Sequence, residues 1–246
     1  EKDTTAPFTA FRNYLLEILA RVPLAGPIMD EIEETFDGLN HPWAQNMDPP
    51  SGLLGRVGNG TSLLEQIIQM SGEGPVERFI VCSPYFDTNG IALTNLINRL
   101  KPVKADVLIQ KRSPKLSRAV VASLPPHVEI MPIGFTQKDV NGIERESFIH
   151  AKFYGISDGT RTLVIAGSAN CSQAALTIPG KGGNAELLAV QPLSAEKFQE
   201  LYLAEIPRVE GEPDFPEIME DNGPEMMGAS IRILAARYDA GLLRVG

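Results

Sequence analysis

Three pairs of polar residues, each pair spaced two positions apart, stand in or beside apolar runs in the second half of the chain. The pairs are His150 with Lys152, Ser168 with Asn170, and Asn184 with Glu186. Residues two apart on a strand project from the same face of a sheet. If the three strands pair in order, these side chains line one polar pocket. Their types can supply a nucleophile, a positive charge and hydrogen-bond donors.

Each pair taken alone also has an ordinary structural interpretation, because isolated motif matches often mislead. Other candidate sites are weaker. Cys82 and Cys171 are too few for a disulfide framework or a four-thiolate zinc site. The three histidines, His41, His127 and His150, show no H-E-x-x-H spacing. The sequence therefore argues against a zinc enzyme, and we expect no metal.

The composition is that of an acidic globular chain. Its 246 residues include 31 acidic and 22 basic side chains, a formal net charge of −9, and 43% hydrophobic residues. This hydrophobic fraction can build a core, whereas the negative balance confines any nucleic-acid surface to a local patch. No apolar run reaches the ~18 residues of a membrane span, so we expect a cytoplasmic protein without membrane contact.

One basic concentration, at residues 101–118, could hold a nucleic-acid backbone. The residues predicted to bind substrate there are Lys111, Arg112, Lys115 and Arg118. A solvated helix and its loop would explain the same residues equally well.

The order His150-Ala-Lys152 followed by Gly167-Ser168-Ala-Asn170 resembles the signature of the phospholipase D superfamily, H-x-K followed by G-S-x-N. The residues around both halves look most like the nuclease branch, whose domains occur in restriction and defence proteins. The segment Ser83-Pro-Tyr-Phe-Asp87 is also similar to the one that closes the first strand in that branch. The resemblance covers about residues 60–207, and its two-part motif is specific.

The resemblance implies a metal-independent phosphodiesterase that forms a covalent phosphohistidine and needs no cofactor. His150 would attack phosphorus, and Lys152 would neutralise the nonbridging oxygens. Ser168 and Asn170 would donate hydrogen bonds to the same oxygens. Glu186 matches an acidic residue that orients the histidine in family members.

The expected fold is α/β, a phospholipase D-like mixed β-sheet flanked by helices, because strand-like and helix-like segments alternate from residue 61. Strands are predicted at 78–83, 105–109, 128–133, 148–156, 162–167 and 185–190. Helices are predicted at 91–100 and 116–124, and two more are predicted to follow the N-caps Ser62 and Ser194. A further helix is predicted to begin near Ser172, and the positive end of its dipole would add amide donors to the pocket.

The chain is expected to divide into three parts. Residues 1–57 would form a helical, turn-rich accessory segment, with one helix near 11–22 and a second near 27–36. Residues 58–208 would form the catalytic domain. Residues 209–246 would form an acidic, proline-rich linker and the start of a small β unit.

A single signature supplies half of the implied site. A second histidine must protonate the leaving oxygen and then activate water, and neither His41 nor His127 is followed by lysine two residues on. We expect a homodimer that places two copies of His150 across one pocket, as single-signature relatives in the nuclease branch assemble. The alternative is a second, divergent signature in a part of the protein beyond Gly246.

The predicted substrate is nucleic acid, either DNA or RNA, cleaved by a module of a defence or restriction protein that has partner proteins in that system. A phospholipase or phosphatidyltransferase of the same superfamily is the alternative. Lipid-acting members commonly carry membrane segments or two signatures, and neither is visible here. A third hypothesis is a binding or assembly module without turnover, and the intact signature counts against it.

Overall fold

The computed structural model describes residues 11, 14–18, 52–56, 60–111, 116–138, 144–177, 183–204, 206–215, 236–239 and 242–245. In this part of the chain, the strands are β1 (Leu53–Arg56), β2 (Arg78–Cys82), β3 (Lys104–Gln110), β4 (Val128–Ile133), β5 (Phe135–Lys138), β6 (Glu144–Ser147), β7 (Phe153–Ser157), β8 (Arg161–Gly167), β9 (Glu186–Ser194), β10 (Ala236–Asp239) and β11 (Leu242–Val245). From residue 60 onward, the helices are α1 (Leu63–Ser71), α2 (Ile91–Leu100), α3 (Arg118–Ser123), α4 (Gln173–Leu176) and α5 (Ala195–Phe198), which continues as a π-helix, Gln199–Leu203.

Seven of these strands form one mixed sheet in the order β1-β9-β8-β7-β2-β3-β4. β2, β3 and β4 are parallel to one another, and the helices α2 and α3 connect them. β7 runs antiparallel to β2, and β8, β9 and β1 continue the antiparallel half. The predicted α/β fold with a mixed sheet is confirmed.

Both faces of the strands β2, β3 and β7 are covered, which explains why these strands are buried along nearly their whole length. In β2, Phe79 and Val81 point into one core cluster, which also contains the buried residues of α1, α2 and α4. Ile80 and Cys82 point to the other face, where they belong to a second core cluster that contains Phe198 of α5. No helix in the described residues is long and apolar enough to cross a membrane.

Two helix starts follow the predicted caps. Ser62 Oγ accepts the Glu65 amide at 3.2 Å, and Ser194 Oγ accepts the Lys197 amide at 3.2 Å. The carboxylate of Glu65 does not complete a capping box, because both of its oxygens bind the Arg99 guanidinium at 2.8 and 2.9 Å. α1 is therefore tied to α2 by its first turn.

The sheet extends beyond the residue 57 boundary predicted for the accessory segment. β1 lies before that boundary and pairs with β9 from Leu53↔Ala189 to Arg56↔Glu186. Residues 14–18 are helical, as predicted, whereas the helix predicted near 27–36 lies outside the described residues.

The segment that follows residue 208 is not a free linker in its first part. The Val209 amide donates to Pro132 O at 3.2 Å, the Asp214 amide donates to Lys111 O at 3.0 Å, and Phe215 is buried in the core. Its proline and acidic composition suggested a linker, but these long-range backbone hydrogen bonds hold it on the domain. Further on, β10 and β11 form an antiparallel pair where the small β unit was expected.

Candidate active site

The three polar pairs meet at one edge of the sheet because β7, β8 and β9 pair in chain order, as the sequence predicts. The pairing runs up to Phe153↔Ala166 and Gly167↔Leu188. Past the ends of the strands, the Gly167 amide donates to Lys152 O at 3.2 Å, and the Ser168 amide donates to Leu187 O at 3.0 Å. Lys152 is thus bonded to the residue before Ser168, and Ser168 to the residue after Glu186.

His150 and Lys152 project together, although not as neighbours on a strand. The predicted strand 148–156 begins only at Phe153, so both residues lie on the segment that enters β7. Lys152 Nζ lies 3.1 Å from His150 Nε2 and 3.3 Å from Nδ1, and it donates to His150 O at 3.1 Å. Ile149 anchors this segment by donating its amide to Gln110 Oε1 at 3.0 Å.

Lys152 is buried with 7% exposure, whereas His150 is exposed. Burial lowers the pKa of the Lys152 ammonium, and the negative charge of Glu186 partly opposes that shift. Burial also raises the pKa of the neighbouring Cys82 thiol to about 12, so this cysteine stays protonated at neutral pH. Of these two neighbouring side chains, the lysine is therefore the one that carries a charge.

Glu186 is a buried carboxylate with 5% exposure and two hydrogen-bond donors. Ser168 Oγ donates to its Oε2, and Asn184 Nδ2 donates to its Oε1 at 3.0 Å. The Leu187 amide in turn donates to Ser168 Oγ at 3.0 Å. Within the described residues no hydrogen bond joins Glu186 to His150, so the orienting role implied for Glu186 stays a prediction.

Asn170 presents an acceptor that the described residues leave unsatisfied. Its Oδ1 is buried and has no hydrogen-bond partner among them. Buried polar atoms are nearly always hydrogen-bonded, so such an atom calls for an explanation. Ala169, the residue before Asn170, is held by a hydrogen bond, because the hydroxyl of the fully buried Tyr154 donates to Ala169 O at 3.0 Å.

The segment from Ser83 to Asp87 holds the loop between β8 and α4. Ser83 Oγ accepts the Cys171 amide at 3.0 Å, and Phe86 forms a parallel bridge with Cys171. Asp87 accepts the Gln173 amide at 2.8 Å. The sequence shows the resemblance of this segment but predicts no role for Ser83 or Asp87, since their hydrogen-bond partners lie more than 80 positions away.

The contact of Asp87 corrects the expectation for the helix after Ser172. α4 does begin there, and Ser172 Oγ accepts the Ala175 amide at 3.4 Å. The carboxylate of Asp87, however, occupies the Gln173 amide, and its second oxygen accepts the Ala92 amide at 3.1 Å. A protein carboxylate therefore takes an amide that was expected to face a substrate phosphate.

The predicted substrate-binding cations are engaged elsewhere where the structure describes them. Lys111 Nζ donates to Glu210 O at 2.5 Å, and Arg118 pairs with Glu212 at 3.0 Å. Arg112 and Lys115 lie outside the described residues. Among the residues that are described, no group of three or more His, Cys, Asp or Glu side chains is placed to hold a metal ion.

No family model and no curated protein matches the chain. It is similar to the solved structure of NucT from Helicobacter pylori, with a TM-score of 0.40 and 16% identity over 60% of this chain and 91% of that one. It is also similar to Nuc from Salmonella typhimurium, described as a phospholipase D family member, with a TM-score of 0.38 and 16% identity over 65% and 99%. The similarity to the yeast tyrosyl-DNA phosphodiesterase has a TM-score of 0.36 and 13% identity, over 58% of this chain and 32% of that enzyme.

The glycine of the G-S-x-N segment has a steric requirement that generates a prediction. A Cβ on Gly167 would lie 2.2 Å from Leu187 O and 2.9 Å from Leu188 Cα, both backbone atoms of β9. Gly167→Ala must therefore separate β8 from β9, and we expect it to lower the free energy of unfolding by about 2 kcal/mol. Urea denaturation followed by circular dichroism measures this change.

The matched control is Gly74→Ala, since a Cβ there has nothing within 4 Å. We expect this variant to unfold at nearly the same urea concentration as the wild type. Equal stability of the Gly167 and Gly74 variants would show that the close approach of the two strands does not constrain the signature glycine.

Proposed function

We propose that this protein is a phosphodiesterase of the phospholipase D type that cleaves nucleic acid through a covalent phosphohistidine on His150. The observation that carries the proposal is the contact between an exposed imidazole and a buried ammonium, with Lys152 Nζ 3.1 Å from His150 Nε2. A nucleophile and a fixed positive charge are thus adjacent, as attack on an anionic phosphorus requires.

The first step transfers the phosphoryl group to the enzyme. The lone pair of a neutral imidazole nitrogen of His150 attacks phosphorus, and a nitrogen–phosphorus bond forms. The phosphorus–oxygen bond to the leaving group breaks, and the leaving oxygen takes a proton from a second, protonated imidazole. Lys152 neutralises the nonbridging oxygens while negative charge builds on them.

The second step restores the enzyme. A water molecule attacks phosphorus while the second imidazole takes its proton, and the nitrogen–phosphorus bond breaks. The net reaction is one phosphodiester and one water giving a phosphomonoester and an alcohol. The charge stabilisation comes from Lys152 and hydrogen-bond donors, so this scheme assigns no step to a metal or a cofactor.

Ser168 and Asn170 are the proposed donors to the substrate oxygens. Ser168 uses its one hydroxyl proton on Glu186, so its predicted role requires that the hydroxyl rotates toward the substrate. Glu186 is a positioning residue in this proposal, because it holds Ser168 and its negative charge acts on the Lys152 ammonium. Asn184 in turn holds Glu186.

The site is proposed to be complete only when two chains combine. The scheme needs two imidazoles, and among the described residues His127 is followed by Val128 and Glu129 rather than by a lysine two positions on. The buried Asn170 Oδ1 without a described partner fits a pocket in which another molecule supplies a donor. A homodimer would bring His150 of the partner subunit to the pocket. A second signature outside this sequence is the alternative source.

The finer assignment, a nuclease module of a defence or restriction protein, rests on the resemblance of the signature, and the cytoplasmic location stays a prediction. A phospholipase remains the competing activity, and direct substrate comparison separates the two.

The activity test uses single- and double-stranded DNA, RNA and a phosphatidyl lipid, each with and without EDTA. We expect nucleic acid to be cleaved at the same rate in EDTA. His150→Ala should lower that rate on the order of 10³-fold or more, because it removes the covalent nucleophile. His127→Ala is the control and should leave the rate unchanged, since this exposed residue lies in the turn before β4.

Three results would count against the proposal. Near-normal cleavage by the His150 variant would remove this residue from its role. Strict dependence on added Mg²⁺ or Zn²⁺ would replace the lysine-based scheme with metal chemistry. Turnover of the lipid alone would assign the phospholipase activity instead.

The shared pocket is tested by mixing wild type with His150→Ala and allowing subunits to exchange. If each pocket needs two copies of His150, activity falls with the square of the wild-type fraction, to about a quarter at equal amounts. Independent sites would give about half. Sedimentation velocity on the same samples reports the dimer, and a strictly monomeric chain that still cleaves phosphodiesters would contradict the shared pocket.

A further inference from the structure

One exposed aromatic ring lies next to the candidate nucleophile, and a second exposed ring lies against the first. Tyr85 is 41% exposed and Phe148 is 54% exposed, and their ring centroids are 5.8 Å apart with an interplanar angle of 45°. The ring of Phe148 lies 5.8 Å from the imidazole of His150. Exposed apolar side chains that cluster at a candidate site are typical of a ligand-binding surface, whereas core aromatic residues are buried. Tyr85 and Phe148 are called the aromatic pair below.

We propose that the aromatic pair is a stacking platform for an unpaired nucleobase and that it gives the protein a preference for single-stranded nucleic acid. This inference rests on the proposed function and names its substrate class. A base next to the scissile phosphate would stack on these rings while the phosphate meets His150. Bases in a duplex already stack on one another and pair, so their faces are not free for protein rings.

The distribution of charge supports stacking as the main source of affinity. The chain carries a net charge of −9. The described cations of the predicted patch are engaged within the protein, Lys111 by the Glu210 carbonyl and Arg118 by the Glu212 carboxylate. A surface that follows a duplex backbone needs many free cations. A stacking platform of two rings beside one buried lysine needs few free cations.

Both rings are carried on anchored backbone. Ser83 Oγ donates to Tyr85 O at 2.7 Å, and the next residue, Phe86, is buried and bridged to Cys171. On the other side, the Ile149 amide that follows Phe148 is bound by Gln110 at 3.0 Å. The backbone that carries the rings is therefore held before a base arrives, which reduces the entropy lost on binding.

The test measures binding separately from cleavage. The parent protein is the full chain with His150→Ala, and its affinity for a fluorescent single-stranded DNA is measured by anisotropy. Adding Tyr85→Ala or Phe148→Ala should weaken binding about fivefold to 100-fold. Tyr85→Phe should bind as the parent does, because it keeps the ring. Leu201→Ala removes a side chain that is 51% exposed on the π-helix and should also leave binding unchanged.

An abasic strand of the same length separates stacking from phosphate contacts. We expect the parent to bind the abasic strand more weakly than the normal strand. On the abasic strand, the alanine variants should have the same affinity as the parent. A duplex of the same sequence should bind more weakly than the single strand. Affinity for the single strand should change little with salt, since few phosphates are neutralised.

Three outcomes would overturn the inference. Alanine variants that bind the normal strand as the parent does would exclude a stacking role. An equal loss on the abasic strand would mean that the rings act on the backbone. Sedimentation of the alanine variants as monomers, where the parent is a dimer, would assign the aromatic pair to a subunit contact. Because binding is measured in the His150 variant, none of these results depends on whether the wild type cleaves.

Discussion

The buried ammonium of Lys152 is the constraint on which the candidate site depends. A buried charge is costly unless its surroundings compensate it, and burial accordingly lowers the pKa of this lysine. Compensation comes from the His150 carbonyl and ring nitrogens and from the charge of Glu186. The buried Glu186 needs donors of its own, which Ser168 and Asn184 supply. One electrostatic unit therefore joins the buried Lys152 and Glu186 with His150, Ser168 and Asn184.

The surrounding fold keeps that unit in place through contacts between distant segments. Gly167 allows β8 to end directly against β9, where any side chain would meet backbone atoms. Ser83 and Asp87 hold the loop after β8, and Tyr154 supports it from the core. These contacts join the parallel and antiparallel halves of the sheet at the edge where the polar pairs meet. The position of the site is thus a consequence of the strand order.

The sequence predicts most of the elements that are defined locally. α2 and β4 have the predicted bounds, and the starts of α1 and α5 follow serine caps, because apolar periodicity and capping are local signals. The order of β7, β8 and β9 could also be anticipated, since successive strands commonly pair.

Elements that depend on distant partners could not be predicted in the same way. β1 is a strand because it pairs with β9, 130 to 136 positions later, and its four residues carry too short a pattern. The first part of the acidic segment after residue 208 packs through long-range backbone hydrogen bonds that composition does not reveal. Nor does spacing show that Asp87 binds the first amide of α4 or that Glu186 binds Ser168. The contacts of Asp87 and Glu186 determine which hydrogen-bonding groups of the site are available to a substrate.

The claim that most needs a direct test is the covalent bond between His150 and phosphorus. The wild-type protein is mixed with a 5′- or 3′-labelled oligonucleotide for less than one turnover, quenched in denaturant at alkaline pH, where phosphohistidine is stable, and digested for mass spectrometry. The account predicts a phosphoryl-linked adduct on the peptide that contains His150 and its absence from His150→Ala. The adduct should form together with the released alcohol fragment and disappear as the phosphomonoester accumulates. Cleavage that proceeds with no adduct on His150 at any time, or with an adduct on another residue, would contradict it.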